Sequence, residues 1–520
     1  MKKRILAAGL SAALLLSLAA CSAPRGSGAS NQPSDSRVLS LSDDEMTLDG
    51  QPLTQGGAGA VTLSHDIVYY HDNTSEDYGE GTQADMHTQE EADAHTVVTI
   101  REAGTYRVSG TLSAGQLAVD LGEEAKRDRS AVVTLVLDGL DITCTVAPAV
   151  IFYNVYECDE AWVAYDEGET EAYSVLPAGV DTSAAGANVV LADGSVNRVS
   201  GSYVARIYRE GTTKKLHKYD GAFYSRMSIN VDGEEAGTGS LTITAENEGL
   251  DSELHLTING GQIDIQAQND GINTNEDNVS VTTVNGGTLH INAGLGEEGD
   301  GIDSNGHIVI NGGTVCSMAS DRSPDGGLDA DGEILINGGN VVALGVRNDA
   351  VSADSKQLYM ELSFGSLLSA GAQVELEGTS LSLVLEKGAQ SILYSGPELG
   401  EDVSYTLKVD GAVQQYTGHA SGGFPGGGPA GNFQPPDSQE PPEGAFRPPE
   451  EEPPAPPEGG GEPPQMPEGQ QPPELPDGQD HPQPPQGAPG QFPGGEEEDP
   501  SADFTLTGDV RSFSGIAGQE

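Results

Sequence analysis

Tryptophan occurs once in this 520-residue chain, cysteine four times, and aromatic residues make up only 5% of it. Cys21, Cys144, Cys158 and Cys316 stand at unrelated spacings, which excludes a disulfide framework and a zinc signature. Whether Cys144 pairs with Cys158 stays open at this point. Cationic side chains are also scarce: 24 Lys and Arg face 81 Asp and Glu, a formal net charge of −57. Nucleic acid and anionic surfaces are recognised through concentrated positive charge, so neither is expected as a partner of the folded body. No apolar run beyond residue 20 is long enough to span a bilayer. A glycine-rich phosphate loop, a His-Glu-x-x-His motif and EF-hand spacing are all missing from the sequence.

Glycine is abundant, with 70 residues, and much of it is periodic. Four copies of an aliphatic-Asn-Gly-Gly turn place asparagines at 259, 285, 311 and 337, in steps of 26 residues. A second signal, glycine followed by an aliphatic and a short polar residue, runs between the turns. It reads Gly249-Leu250-Asp251, Gly271-Ile272-Asn273, Gly301-Ile302-Asp303 and Gly327-Leu328-Asp329, with Ala350-Val351-Ser352 as a degenerate fifth copy. A fixed period of this length means stacked units. Asn-Gly and Gly-Gly are turn dipeptides, and the flanking residues alternate apolar with polar, as strands do. The expected fold is therefore all-β, a parallel β-helix.

Stacking gives the acidic residues a role. One row is expected to read Glu248, Asp270, Asp300, Asp325 or Gly326, and Asp349. The next is expected to read Asp251, Asn273, Asp303, Asp329 and Ser352, with Asp331 close to Asp329. Stacked strands lie about 4.8 Å apart. Two carboxylates at that separation repel by roughly 1 kcal/mol in water and by more when buried. A cation between them removes the conflict, and calcium, which takes six to eight oxygen ligands in flexible geometry, suits the donor set. The expected metal ligands are Asp251, Asp270, Asn273, Asp300, Asp303, Asp325, Asp329, Asp331 and Asp349.

At the N-terminus, Lys2, Lys3 and Arg4 precede an apolar run that ends Leu18-Ala19-Ala20-Cys21. This resembles a bacterial lipobox, in which the cysteine becomes lipidated and the new N-terminus. The expected organisation is a lipoprotein signal peptide at 1–20, a flexible spacer at 21–60, the solenoid at 61–357 and a β cap at 358–420. Residues 421–503 hold 24 of the 31 prolines and 17 acids against Arg447 alone; they are expected to be disordered. Phe504-Thr505-Leu506-Thr507 opens a strand-like run at 504–520 that is expected to return to the cap. Residues 162–165 read as a strand, 169–210 as a break in the rhythm that forms a loop or an extra coil wall, and Cys316 as a small core residue.

Three stretches carry a family resemblance. They are Ala103-Gly104-Thr105-Tyr106-Arg107-Val108 with Leu135-Val136-Leu137-Asp138-Gly139-Leu140; Asp220-Gly221-Ala222-Phe223-Tyr224-Ser225 with the copies from 247 to 351; and Ser391-Ile392-Leu393-Tyr394-Ser395-Gly396-Pro397. In that order they resemble a bacterial family of carbohydrate-binding parallel β-helix domains, of the clostridial cellulose- and pectin-binding surface type. The resemblance implies a right-handed helix like that of pectate lyases, bound calcium, and binding of plant-type polysaccharide without established catalysis. The expectation is then a monomeric, membrane-anchored surface lipoprotein that holds Ca2+ and a polysaccharide. Two other readings stand beside it. One is a polysaccharide lyase, for which Arg322 and Arg347 are the candidate bases. The other is a purely structural adhesin.

Overall fold

The computed structural model describes residues 36–71, 84–170, 173, 180–205, 207–208, 215–217, 219–421, 500–507 and 510–517. Cys21, the leader and nearly all of the proline-rich segment lie outside the described residues. The architecture is almost entirely β, and most strand pairs are parallel.

Three parallel ladders run through the repeat. The first stacks Ala187–Leu191, Ile229–Gly233, Leu256–Ile258, Val281–Val284, His307–Ile310 and Ile334–Ile336. The second stacks Val196–Gly201, Ser240–Ala245, Gln262–Ala267, Thr288–Asn292, Thr314–Met318 and Asn340–Gly345. The third stacks Val150–Asn154, Gly221–Ser225, Glu248–Ser252, Ile272–Thr274, Ile302–Ser304 and Leu328–Ala330. Alternation decides which side of each strand is buried: Ile263, Leu289, Val315 and Val341 are in mutual register and at most 2% exposed.

The Asn-Gly-Gly turn joins the first ladder to the second. Each asparagine donates its Nδ2 to the Oδ1 of the one below, at 2.9 Å, from Asn337 through Asn311 and Asn285 to Asn259. The second glycine of each turn (Gly261, Gly287, Gly313, Gly339) has φ between 85° and 96°, a conformation that side chains disfavour. The glycine of the other signal answers a different need. A Cβ on Gly271 would come within 2.1 Å of Ile291 Cγ2, and one on Gly301 within 2.0 Å of Ser317 Oγ. Glycine there lets the third ladder press against the second.

Parallel stacking stops after Asn340–Gly345, which pairs antiparallel with Ala389–Ser395. A second core follows, built from Leu362, Val374, Leu376, Leu407, Phe504, Leu506, Phe513 and Ile516 among others. Phe504–Thr505 pairs with Ser404–Val409, and Val510–Ile516 lies between Tyr359–Leu368 and Gly418–Ser421.

Several expectations need correcting. Residues 37–41 are no flexible spacer: Arg37–Leu41 pairs in parallel with Gly104–Leu112, burying Leu39 and Leu41. Residues 162–165 lie in the helix Glu160–Asp166, because Asp159 accepts the Trp162 N–H at 2.9 Å and caps it. Of the two readings of 169–210, the loop fails and the added wall agrees for residues 187–201, which supply strands to the first two ladders. Cys316 is partly buried on the opposite side of its strand from Val315 and Ser317, and packs against the second core rather than the first. The fifth copy is out of register, since Val351 bridges Ile334 and the Asp349 N–H donates to the Leu328 carbonyl at 3.2 Å. Cys144, Cys158 and Cys316 are free thiols, so the open question of a Cys144–Cys158 bond is answered in the negative.

Two outcomes follow for stability. Asn311→Ala removes two rungs of the asparagine column and Asn259→Ala one. The first is expected to cost about 1–2 kcal/mol and the second about half as much, by chemical denaturation. Deleting 504–520 removes four side chains at most 1% exposed and is expected to lower the melting temperature by many degrees.

Candidate metal centre

The third ladder carries the acids. Tyr224, Asp251, Asn273, Asp303 and Asp329 are in register, one per rung. Their chain neighbours Phe223, Leu250, Ile272, Ile302 and Leu328 are at most 1% exposed. Each apolar plug therefore fixes the height of the polar residue that follows it. Two residues upstream of the plugs lies the second row. The Gly249, Gly271 and Gly301 N–H groups donate to the Asp270, Asp300 and Gly326 carbonyls at 3.0, 3.0 and 2.9 Å. That row therefore reads Glu248, Asp270, Asp300 and Gly326.

Backbone amides climb this row. Asp270 Oδ1 accepts the Asp300 N–H, and Asp300 Oδ1 accepts the Gly326 N–H, both at 2.7 Å. Asp325, one position off the row, turns its Oδ2 to the Gly299 N–H at 2.6 Å. Asp349 does not continue this row as expected. It comes up beside Asp329, its Oδ2 accepting the Ala330 N–H at 3.3 Å, and Ser352 leaves the ladder to donate its N–H to the Ile334 carbonyl at 2.8 Å. Only Val346–Asn348 separate the second-ladder strand Asn340–Gly345 from Asp349, whereas residues 319–327 separate Thr314–Met318 from Leu328–Ala330.

The densest group lies at the lower end. One carboxylate oxygen from each of Asp220, Glu248 and Asp251 lies within 4.8 Å of the others, and the three residues are 3%, 1% and 0% exposed. Asn273 donates its Nδ2 to Glu248 Oε1 at 3.1 Å, and Asn275 donates to Asp251 Oδ1 at 2.6 Å. Asn273 Oδ1 is buried and accepts no hydrogen bond. Gly221 makes the close approach possible, because a Cβ there would sit 2.5 Å from Asp251 Cβ. Asp220, Glu248 and Asn275 were absent from the expected ligands, Glu248 having been read only as a member of its row. The signal for Asp220 was the irregular Asp220-Gly221-Ala222 copy.

Burial dominates the electrostatics. It holds the Asp270 carboxyl well above the usual range, with Glu248, Asp303 and Asp300 adding to the effect. Asp300 is pushed up to about 7 by burial, against the opposing pull of the Gly326 N–H. Asp303 is pushed up to about 7 by burial and then by Asp329 and Asp331. Asp329 is likewise pushed up to about 7 by burial and by its contact with Asp349, with Arg347 offsetting part of this. A buried carboxylate without a countercharge either takes a proton or takes a cation. Three converging carboxylates, with Asn273 bonded to one of them through its Nδ2, fit a hard divalent cation such as calcium. Arg322 is held by Asp321 at 3.7 Å and by the Leu295 carbonyl at 3.0 Å, as a charge partner.

A family model described as "carbohydrate-binding domain-containing protein" matches residues 94–177 and 177–389. The chain belongs to that family. A family relative, a carbohydrate-binding domain-containing protein of Acetivibrio thermocellus, is 27% identical over 221 residues, 41% of this chain and 59% of its own. This chain thus spans little more than half of that relative's length. A solved structure, the gadolinium derivative of the polysaccharide lyase-like protein from C. thermocellum, is similar with a TM-score of 0.32 and 20% identity. That similarity covers 59% of this chain and 93% of the other. The family match covers the ladders and the acid rows together.

The raised carboxyls set a pH dependence for the metal-free chain. A group at about 7 when folded and 3.8 when unfolded binds its proton more tightly in the folded state, so stability falls as pH rises between those values. In chelator, Asp303→Asn is expected to flatten part of that decline in melting temperature. An unchanged slope would contradict the assignment.

Proposed function

We propose that this chain is a calcium-dependent, non-catalytic polysaccharide-binding lipoprotein of the cell surface. Its ladders close into a right-handed parallel β-helix, and a lipid on Cys21 tethers it to the membrane. Family membership supports carbohydrate binding. The turn-linked parallel registers support the solenoid. The observation that carries the calcium reading is the buried cluster of the three carboxylates Asp220, Glu248 and Asp251.

In this reading calcium neutralises the cluster and joins the lower rungs. The rest of the expected set, Asp270, Asp300, Asp303, Asp325, Asp329, Asp331 and Asp349, continues the acid face upward, where burial lessens from Asp270 to Asp303 and Asp329. A cation held there by fewer protein ligands keeps positions for sugar oxygens, including the carboxylate of a uronate. Plant-type polymers such as pectin and cellulose are the proposed ligands.

The test is co-sedimentation of the mature chain with polygalacturonate and with cellulose, with calcium or chelator. Calcium-dependent pelleting is expected; failure to pellet on either polymer would remove the proposal. Asp251→Asn is expected to weaken calcium binding by on the order of tenfold or more in calorimetry, about 1.4 kcal/mol or above. The lyase alternative keeps one supporting observation, the placement of Arg347 against Asp329. Ultraviolet-absorbing unsaturated product from polygalacturonate would establish it in place of the binding-only reading.

A further inference from the structure

The cap reaches back over the second ladder at one place. His290 stands in register with Asp264 below and Cys316 above, on the outward side of that ladder. Its Nδ1 is 2.9 Å from Asp264 Oδ2, and its Nε2 is 3.0 Å from Glu386 Oε1. Glu386 belongs to the cap turn between Ser382–Val384 and Ala389–Ser395. The next two residues of that turn also grip the repeat. Lys387 Nζ donates to the Ala293 carbonyl, and the Gly388 N–H donates to Asp321 Oδ2 at 2.9 Å.

The imidazole geometry has a chemical requirement. An ionised carboxylate only accepts hydrogen bonds, and a neutral imidazole carries one N–H. Two carboxylates can both be satisfied by one ring only when both ring nitrogens carry protons. We propose that His290 is a proton-operated clasp: as an imidazolium it binds the cap turn at 385–388 to the repeat, and as neutral imidazole it releases Glu386. Asp264 lies on a ladder strand, whereas Glu386 lies on a turn, so the turn is the side that moves.

The facing groups agree. From the repeat these are Asp264, Cys316, Asp321 and Arg322; from the cap they are Glu386 and Lys387. The Asp264 hydrogen bond raises the His290 pKa above its ordinary value, with Glu386 adding to it, against burial. Such a group contributes docking that is complete below pH 6.5 and is lost as pH rises through the folded value. Lys387 is pushed down to about 8 by burial, so its own titration begins only at the upper end of the neutral range. Glu386→Gln keeps Lys387 and so separates the two. Cys316, raised to about 12 by burial and next by Glu386, is the natural reporter of this face.

The experiment measures labelling of Cys316 by 4,4′-dithiodipyridine from pH 5.5 to 8. Peptide mass spectrometry gives the extent, normalised at each pH to the denatured chain. Protection is expected to fall several-fold across that range in the wild type and to be low and flat in His290→Gln. Glu386→Gln is a second variant, with the ladder strand untouched. It is expected to flatten the profile and to lower the His290 pKa, read by NMR of the imidazole. A flat wild-type profile, or the same decline in Glu386→Gln, would overturn the clasp. None of these readings depends on calcium or polysaccharide binding.

Discussion

Vertical register is the constraint on which the rest of this structure depends. Parallel backbone hydrogen bonding places each strand beside its counterpart in the preceding repeat, and two side-chain devices stop it slipping. Apolar plugs on the inner side admit no shift by one residue, because a slip would carry every Ile, Leu and Val to the outside. On the outer edge, the asparagine column bonds each turn to the turn beneath it. Glycine serves both devices, by taking positive φ in the turns and by vacating space where the third ladder meets the second.

Register then creates the electrostatic problem. Acid-row residues 20 to 31 positions apart become neighbours. Hydrogen bonds from backbone amides to Asp270, Asp300 and Asp325 relieve part of the cost. They do not cancel it, since burial still leaves Asp300 and Asp303 near 7. At the lower end three buried carboxylates, those of Asp220, Glu248 and Asp251, converge, and one hard cation would neutralise them together where protons must be taken up one by one.

Much of this was legible in the chain because periodicity reports register directly. The row Asp251, Asn273, Asp303 and Asp329 follows from counting between glycines, and the structure pairs the same residues. What escaped was set by contacts without a period. Trp162 to Tyr165 alternates weakly enough to pass for a strand, and the Asp159 cap decides for helix. Asp220 precedes an irregular coil, so its arrival beside Glu248 depends on a packing match that spacing does not encode. Asp349 follows a shortened last loop, which moves it from one row to the other. His290 meets Glu386 across 96 residues, through a cap whose folding the repeat does not announce.

The central claim is that stacking makes the acid face a cation site. Anomalous X-ray diffraction from crystals of the mature chain grown in calcium tests it most directly. The account predicts a peak bounded by the carboxylates of Asp220, Glu248 and Asp251. A well-ordered map with those oxygens in place and no peak among them would contradict it.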